Sequence, residues 1–311
     1  MANILITEFM DKTQIKRLSK VHNVIYNPEL CNDPKSLIEK ANKVHALIVR
    51  NKTNVDKKLL DSMGSLKIIG RLGVGLDNID VDYCQIKNVP VIVAEGANAK
   101  SVSEYVIMGL FTLFRGIRTS TEDVLGEEWD RNKHTGSEVN GKTLGIIGIG
   151  SIGKIVAKNA GSLGMNLIGN DIKISKDDEI WEKLNIKCCS FHEVISQSDV
   201  ITIHVPLTKK TSNLLGENEF KNMAKGSFII NSSRGGIVNE KDLLKFLKNG
   251  HLGGAMLDVF ETEPLNQVSR FLGIENLILT PHIAGLTYES NIRVSQVITD
   301  KILNHLKTGE Q

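Results

Sequence analysis

Short apolar, mostly β-branched runs alternate with amphipathic or charged stretches along almost the whole chain. In the first third, residues 4–7, 46–49, 68–70 and 91–93 have the length and branching of buried parallel strands, and the stretches between them read as helices. The same alternation restarts after Gly141, with strand-like runs at residues 143–148, 166–170, 200–205, 227–231, 254–257 and 277–280. Strands that alternate with helices pack as parallel sheets covered on both faces, so the pattern predicts an α/β chain with two such sheets.

Two helices fall outside this simple alternation. Residues 101–117 carry Val102, Val106, Ile107, Met108, Leu110, Phe111, Leu113, Phe114 and Ile117, an apolar surface wider than one helical face. Such a helix needs cover on several sides, either as an interdomain core helix or as a subunit interface. Residues 288–307 form a last amphipathic stretch after the second set of strands. If it returns to the first sheet, the N-terminal domain is discontinuous.

Composition narrows the function classes. With 311 residues, 41% of them hydrophobic, the chain has material for two ordinary cores. Lys and Arg total 38 against 36 acidic residues, with no like-charge block, which argues against a nucleic-acid binder and for a small-molecule partner. Residues 1–9 lack the basic start and small-residue cleavage site of a signal peptide, and the apolar run at 105–114 is too short to span a bilayer. A cytoplasmic protein without membrane association is the expectation. Cys31, Cys84, Cys188 and Cys189 have neither disulfide-framework nor zinc spacing, so free thiols and no metal are expected.

The first chemical signal is Gly148, Gly150 and Gly153, a GxGxxG that gains weight from the strand before it and the helical stretch 152–163 after it. Gly148 permits the tight turn, Gly150 lets backbone N–H groups approach a pyrophosphate, and Gly153 lets the helix pack close while its N-terminus favours negative charge. The next strand runs into Asp171, at the offset where a carboxylate accepts hydrogen bonds from the adenosine ribose. A carboxylate there repels a 2′-phosphate, which favours NAD over NADP despite nearby Lys173. The plain alternative for Asp171 is a solvated turn residue.

In open α/β sheets chemistry gathers at the carboxyl ends of strands. Arg234 follows the run 227–231, Glu263 lies beyond 254–257, and His282 follows 277–280. Oxidation of a hydroxyl by NAD needs a base for the hydroxyl proton and a fixed cation to orient the substrate, which a histidine and an arginine supply. Arg234 is suited to a bidentate grip on a carboxylate, and Glu263, on contact with His282, favours the imidazolium and fixes its ring. Read alone, these residues are equally well a loop arginine, a turn glutamate and a core histidine, and His204 is a competing base.

Taken in order, Gly-Ile-Gly-Ser-Ile-Gly (148–153), His-Val-Pro-Leu-Thr (204–208), Asn-Ser-Ser-Arg-Gly-Gly (231–236), Leu-Asp-Val-Phe-Glu-Thr-Glu-Pro (257–264) and Pro-His-Ile-Ala-Gly (281–285) resemble the D-2-hydroxyacid dehydrogenases over nearly the whole chain. The resemblance implies that Arg234 binds the substrate carboxylate, that His282 is the acid/base, and that Glu263 is its partner. His204 then becomes a cofactor-side residue. With it, Gly148, Gly150, Ser151, Ile152, Gly153, Asp171, Val205, Pro206, Thr208, Ser233, Asp258, His282 and Gly285 are the implied NAD contacts. The implied fold is a Rossmann NAD domain, 99–285, inserted into a flavodoxin-like substrate domain, 1–98 plus 286–311, both doubly wound. Hinges near Asn98 and Ala284 follow, as does a homodimer or higher homo-oligomer formed largely through 101–117.

Within the family, Leu-Ile-Val-Arg-Asn-Lys-Thr (47–53), Gly-Arg-Leu-Gly-Val-Gly-Leu-Asp-Asn-Ile-Asp (70–80) and Trp129-Asp130-Arg131 resemble 3-phosphoglycerate dehydrogenases. Arg50 and Arg71 would then meet an anionic tail, and the N–H groups of Leu72, Gly73, Val74 and Gly75 the carboxylate, with Asn98 nearby. Val74 is a mild departure from that pattern. Arginines read charge and shape, however, and Glu-Phe-Met-Asp (8–11) with Gly-Leu-Thr-Tyr-Glu-Ser-Asn (285–291) resembles sulfolactate dehydrogenases. The sequence ranks 3-phosphoglycerate narrowly first and sulfolactate second. The end of the chain at Gln311 leads to the expectation of no appended regulatory domain. A reading of another class is an NAD-sensing, corepressor-like binding protein on the same fold.

Overall fold

The computed structural model describes residues 1–117, 120–266 and 268–308 and divides the chain into two compact units. Unit 1 comprises Met1–Asn98 and Leu286–Gln311, and unit 2 is Ala99–Gly285.

Unit 1 holds β1 (Asn3–Ile6), β2 (Asn23–Tyr26), β3 (Ala46–Val49), β4 (Ile68–Arg71) and β5 (Val91–Val93), paired in parallel in the order β2-β1-β3-β4-β5. This is the flavodoxin-like order. Alternate residues feed two cores. Ile4, Ile6, Ile48 and Ile68 face the C-terminal helix Tyr288–Thr308 through Val294, Ile298, Ile302 and Leu306. Leu5, Leu47, Val49 and Ile69 pack with Leu37, Leu59 and Leu60 from other helices of the unit. The four-residue spacing of 294, 298, 302 and 306 places them along one stripe of that helix, which is why the last helix closes this sheet. Strand β2 was not expected from the sequence. It is an edge strand with Ile25 and Tyr26 exposed, so neither alternation nor a buried run marks it.

Unit 2 holds β6 (Thr143–Ile147), β7 (Asn166–Asn170), β8 (Lys187–Cys188), β9 (Val200–Ile203), β10 (Phe228–Asn231), β11 (Gly254–Leu257) and β12 (Leu277–Leu279). All pair in parallel, in the order β12-β11-β10-β9-β6-β7-β8. Counted from β6, this is the Rossmann order with one further strand, and its direction reverses between β6 and β9. Three strands stop earlier than their apolar runs suggested. Gly148 turns the chain at φ +95°, β9 ends at Ile203 with one last ladder bond from the His204 N–H to Ile147, and Thr280 turns its side chain to Asp258. The two-residue β8 is too short to leave a sequence signal.

The wide apolar helix is Ala99–Arg115. Within unit 2 it packs on the helix Ser151–Ser162 and on β10 and β11, burying Val102, Tyr105, Val106, Leu110, Leu113 and Phe114. Met108 and Phe111 stay exposed. Among the described residues, no helix is long and apolar enough to cross a membrane. The four cysteines are free.

Candidate active site

The reversal between β6 and β9 is where a doubly wound sheet opens a crevice, and the glycine loop lies there. A Cβ on Gly148 would lie 2.7 Å from the carbonyl oxygen of His204, and one on Gly153 would lie 2.2 Å from that of Gly148. Both positions are closed to any side chain. Gly150 differs: a Cβ there would meet no protein atom within 4 Å. It is the N-cap of the helix Ser151–Ser162 and brings no side-chain acceptor to the first turn. Open room at an uncapped helix start suits the pyrophosphate of a dinucleotide, since the N–H groups there favour an anion. Asp171, just past β7, accepts the Ile149 N–H at 2.8 Å and the Lys173 N–H at 2.8 Å. The loop and the carboxylate are thereby fixed to each other. The residues present therefore fit a dinucleotide.

On the β9 side, His204 pairs through Nε2 with the Thr202 hydroxyl at 3.0 Å, and its buried Nδ1 has no partner among the described residues. Burial pushes its imidazole down to about 3, which keeps the ring neutral at physiological pH. Val205 and Pro206 continue from it, and the Thr208 hydroxyl and N–H both meet the Thr211 hydroxyl. This loop holds its own shape.

The strand ends of β10, β11 and β12 bring Arg234, Glu263 and His282 into one cluster. Buried Asn231, the last residue of β10, accepts the N–H and hydroxyl of Ser233 and donates to the Arg234 carbonyl. Arg234 in turn donates to the Ser233 carbonyl at 2.6 Å. A Cβ on Gly235 would fall 1.7 Å from the Phe260 carbonyl oxygen, so only glycine lets the Arg234 loop lie on the loop that carries Glu263. Glu263 Oε1 accepts the Phe260 N–H at 3.0 Å, and Oε2 meets His282 Nδ1 at 2.7 Å. Burial would raise this carboxyl. The hydrogen bonds from His282 and Phe260, with the charges of His282 and Arg234, outweigh that and hold it below its ordinary value. The His282 side chain is 40% exposed, and its contact with Glu263 is made through Nδ1 rather than Nε2.

His282 sits in the left-handed region at φ +56°, a conformation that costs a non-glycine residue on the order of 1–3 kcal/mol. Its N–H is held by the carbonyls of Asp258 and Thr280. The buried Asp258 carboxylate then takes the Thr280 hydroxyl at 2.6 Å, the Ile283 N–H at 2.7 Å and the Ala284 N–H at 2.8 Å. Tyr105 Oη meets Thr280 Oγ1 at 2.5 Å, joining the long helix to the same network. Sequence reasoning placed Asp258 beside the cofactor and missed Tyr105 and Thr280. Nothing local in the sequence marks either of them, because their partners lie 175 and 22 residues away.

Unit 1 carries the expected substrate residues at the carboxyl ends of its own strands. One expectation is corrected there. The Leu72 N–H continues the ladder to Val49 and the Gly73 N–H closes a tight turn onto Arg71, so neither is left for a carboxylate. Val74 and Gly75 keep N–H groups with no acceptor among the described residues. Arg71 folds back over this turn and donates to the Leu72 carbonyl at 3.0 Å. Arg50 donates to Asn291 Oδ1 at 2.8 Å. Asn98 and Gly285 are the residues at which the chain passes from one unit to the other.

The family model for the NAD binding domain of D-isomer specific 2-hydroxyacid dehydrogenases matches residues 107–284. The chain belongs to that family. A sulfolactate dehydrogenase from Chromohalobacter salexigens is 43% identical over 97% of this chain and 97% of its own length. A D-3-phosphoglycerate dehydrogenase from Archaeoglobus fulgidus is 39% identical over 87% of this chain, which spans only 51% of that relative. Among solved structures, the D-lactate dehydrogenase of Aquifex aeolicus, complexed with NAD and lactic acid, superposes with a TM-score of 0.83. It is 25% identical, with 98% of this chain and 96% of that one covered. This D-2-hydroxyacid dehydrogenase is thus an NAD-dependent oxidoreductase of the CH–OH group of 2-hydroxy acids.

Proposed function

We propose that this dehydrogenase interconverts sulfolactate, a 2-hydroxy acid with a sulfonate tail, and the corresponding 2-keto acid by the action of His282, Glu263 and Arg234. NAD supplies the hydride acceptor when bound. His282 Nε2 takes the hydroxyl proton from substrate C2 and returns it in the reverse direction, because Nδ1 is committed to Glu263. Glu263 holds the ring and offsets the positive charge that forms on it. Arg234 grips the carboxylate and so orients C2. Asp171 receives the adenosine ribose, the first turn of Ser151–Ser162 the pyrophosphate, and neutral His204 contributes shape without a proton. Arg50 is the residue assigned to the sulfonate.

The 2.7 Å contact between His282 and Glu263 carries the catalytic assignment. For the substrate, the support is a relative named for sulfolactate that matches this chain end to end, which reverses the order of preference read from the sequence. The relatives named for phosphoglycerate keep 3-phosphoglycerate as the second reading. Exposed Met108, Phe111, Val124, Leu125 and Trp129, on and after the long helix, support a homodimer through that face.

The test follows NADH at 340 nm with sulfolactate, 3-phosphoglycerate, D-lactate and D-glycerate. Sulfolactate is expected to give the highest kcat/KM; a higher value for 3-phosphoglycerate overturns the substrate assignment. His282→Ala is expected to lower kcat by at least about 100-fold while NADH still binds. Turnover at the unsubstituted rate would move the proton transfer to His204.

A further inference from the structure

Glu8, immediately beyond β1, is buried at 4% exposure and has an unusual set of partners. Its Oε1 accepts the N–H groups of Arg50 at 2.8 Å and Thr53 at 2.9 Å. Its Oε2 accepts those of Asn51 at 3.2 Å and Lys52 at 3.0 Å. Four consecutive backbone donors therefore converge on one side chain. From the other direction, Asn78 Nδ2 donates to the carbonyls of Arg50 at 3.2 Å and Thr53 at 2.6 Å. The loop 50–53 is gripped by its donors and by its acceptors.

Converging N–H groups of this kind ordinarily form a nest for an external anion. Here the protein fills the nest itself, so these donors are not available to a substrate. What the loop can still offer is the Arg50 side chain. Its guanidinium is partly buried, and its hydrogen-bonded partner is the neutral amide oxygen of Asn291. Among the described residues Arg50 makes no ion pair. Glu8 is close enough to act on it electrostatically, but both Glu8 oxygens are taken by the loop. Asn291 is placed by the start of the C-terminal helix, where Thr287 and Ser290 exchange side chain to backbone hydrogen bonds. The segments 8–11 and 285–291, the two whose sequence resembles sulfolactate dehydrogenases, thus meet at one arginine.

We propose that Glu8 and Asn291 are positioning residues for substrate specificity: Glu8 sets the shape of the loop that presents Arg50, and Asn291 orients the Arg50 fork through a neutral amide, so that no carboxylate is paired with it in place of the substrate's anionic tail. The inference rests on the assignment of Arg50 to that tail. A neutral partner matters because a carboxylate at position 291 would occupy the fork in the bidentate manner a sulfonate or phosphate needs.

Asn291→Asp and Glu8→Gln test it, with melting temperature recorded for each. The measurement is the ratio of kcat/KM for a tailed acid to that for D-lactate, with KM and kcat separated. Sulfolactate is the tailed acid, or 3-phosphoglycerate if the unsubstituted enzyme prefers it. That preference judges the substrate assignment separately from this inference. Asn291→Asp is expected to lower the ratio at least about tenfold, mainly through KM of the tailed acid. Glu8→Gln places an amide NH2 against two N–H donors and is expected to shift the ratio in the same direction. A parallel loss for both acids, or an unchanged ratio in Asn291→Asp, overturns the proposal. Turnover of neither tailed acid by the unsubstituted enzyme overturns it together with the substrate assignment.

Discussion

Asp258→Asn isolates the network that holds His282. The carboxylate accepts two donors on Oδ1, the Thr280 hydroxyl and the Ile283 N–H, and one on Oδ2, the Ala284 N–H. An asparagine in the same place keeps its oxygen on the paired donors and turns its NH2 towards Ala284. That leaves one buried N–H facing another donor, at a cost of about 1–3 kcal/mol. Burial raises the Asp258 carboxyl, against the pull of these hydrogen bonds, so a neutral side chain recovers part of that cost. A net loss of about 1–2 kcal/mol remains, equivalent to a fall in melting temperature of roughly 2–8 °C for a domain of this size. The functional loss is expected to be larger. Residues 282–284 are held in place by Asp258, and a misplacement of about 1 Å at a reacting group costs on the order of 100-fold in rate. Thermal melts and NADH-linked turnover measure both effects, with NADH affinity as the third readout. A melting temperature within about 1 °C of the unsubstituted enzyme, with kcat within about twofold, would refute the anchoring role. Weakened NADH binding with unchanged kcat would instead make Asp258 a cofactor contact alone.

Two further outcomes are expected. Gly150→Val should fold with little change in melting temperature, since its side chain enters open space, yet weaken NADH binding by at least about tenfold, whereas Gly153→Ala should lower the melting temperature by forcing apart Gly148 and the helix start; equal thermal effects would refute the distinction. His204 has a folded value of about 3 against 6.5 when unfolded, so the unfolded state binds the extra proton and stability falls as pH drops from about 6.5 towards 3. Chemical denaturation of His204→Gln between pH 7 and pH 4 should show about 2–3 kcal/mol less acid loss than the unsubstituted enzyme, and equal losses would show that the imidazole is not held neutral.

Much of the site was legible in the chain because its parts are local. A strand, a glycine-rich turn and a helix occupy adjacent positions, so Gly148, Gly150 and Gly153 are readable from spacing and context. Arg234, Glu263 and His282 each follow an apolar run, so the rule that chemistry gathers at strand ends marks them as candidates, and the order of motifs shared with the family then assigns their roles. The buried central strands announce themselves in the same way, as β-branched runs covered on both faces.

What the sequence left undecided depended on contacts between distant residues. Local pattern left His204 and His282 both as candidate bases until the order of motifs ranked them, and only the fold shows how their environments differ: one ring is buried beside Thr202, the other is half exposed against Glu263. Edge strand β2 and the two-residue β8 bury too little to leave a pattern. The N–H groups of Leu72 and Gly73 looked available until the ladder and the turn claimed them. Glu8 stands 42 residues from Arg50, and Asn291 stands 241 away. The order of residues fixes which groups a chain carries and where its strands end, because those follow from neighbours a few positions apart. Which groups lose water, which donors are already spent, and which arginine pairs with a neutral amide rather than a carboxylate are settled only when remote segments pack, since burial and hydrogen-bond saturation belong to the assembled fold.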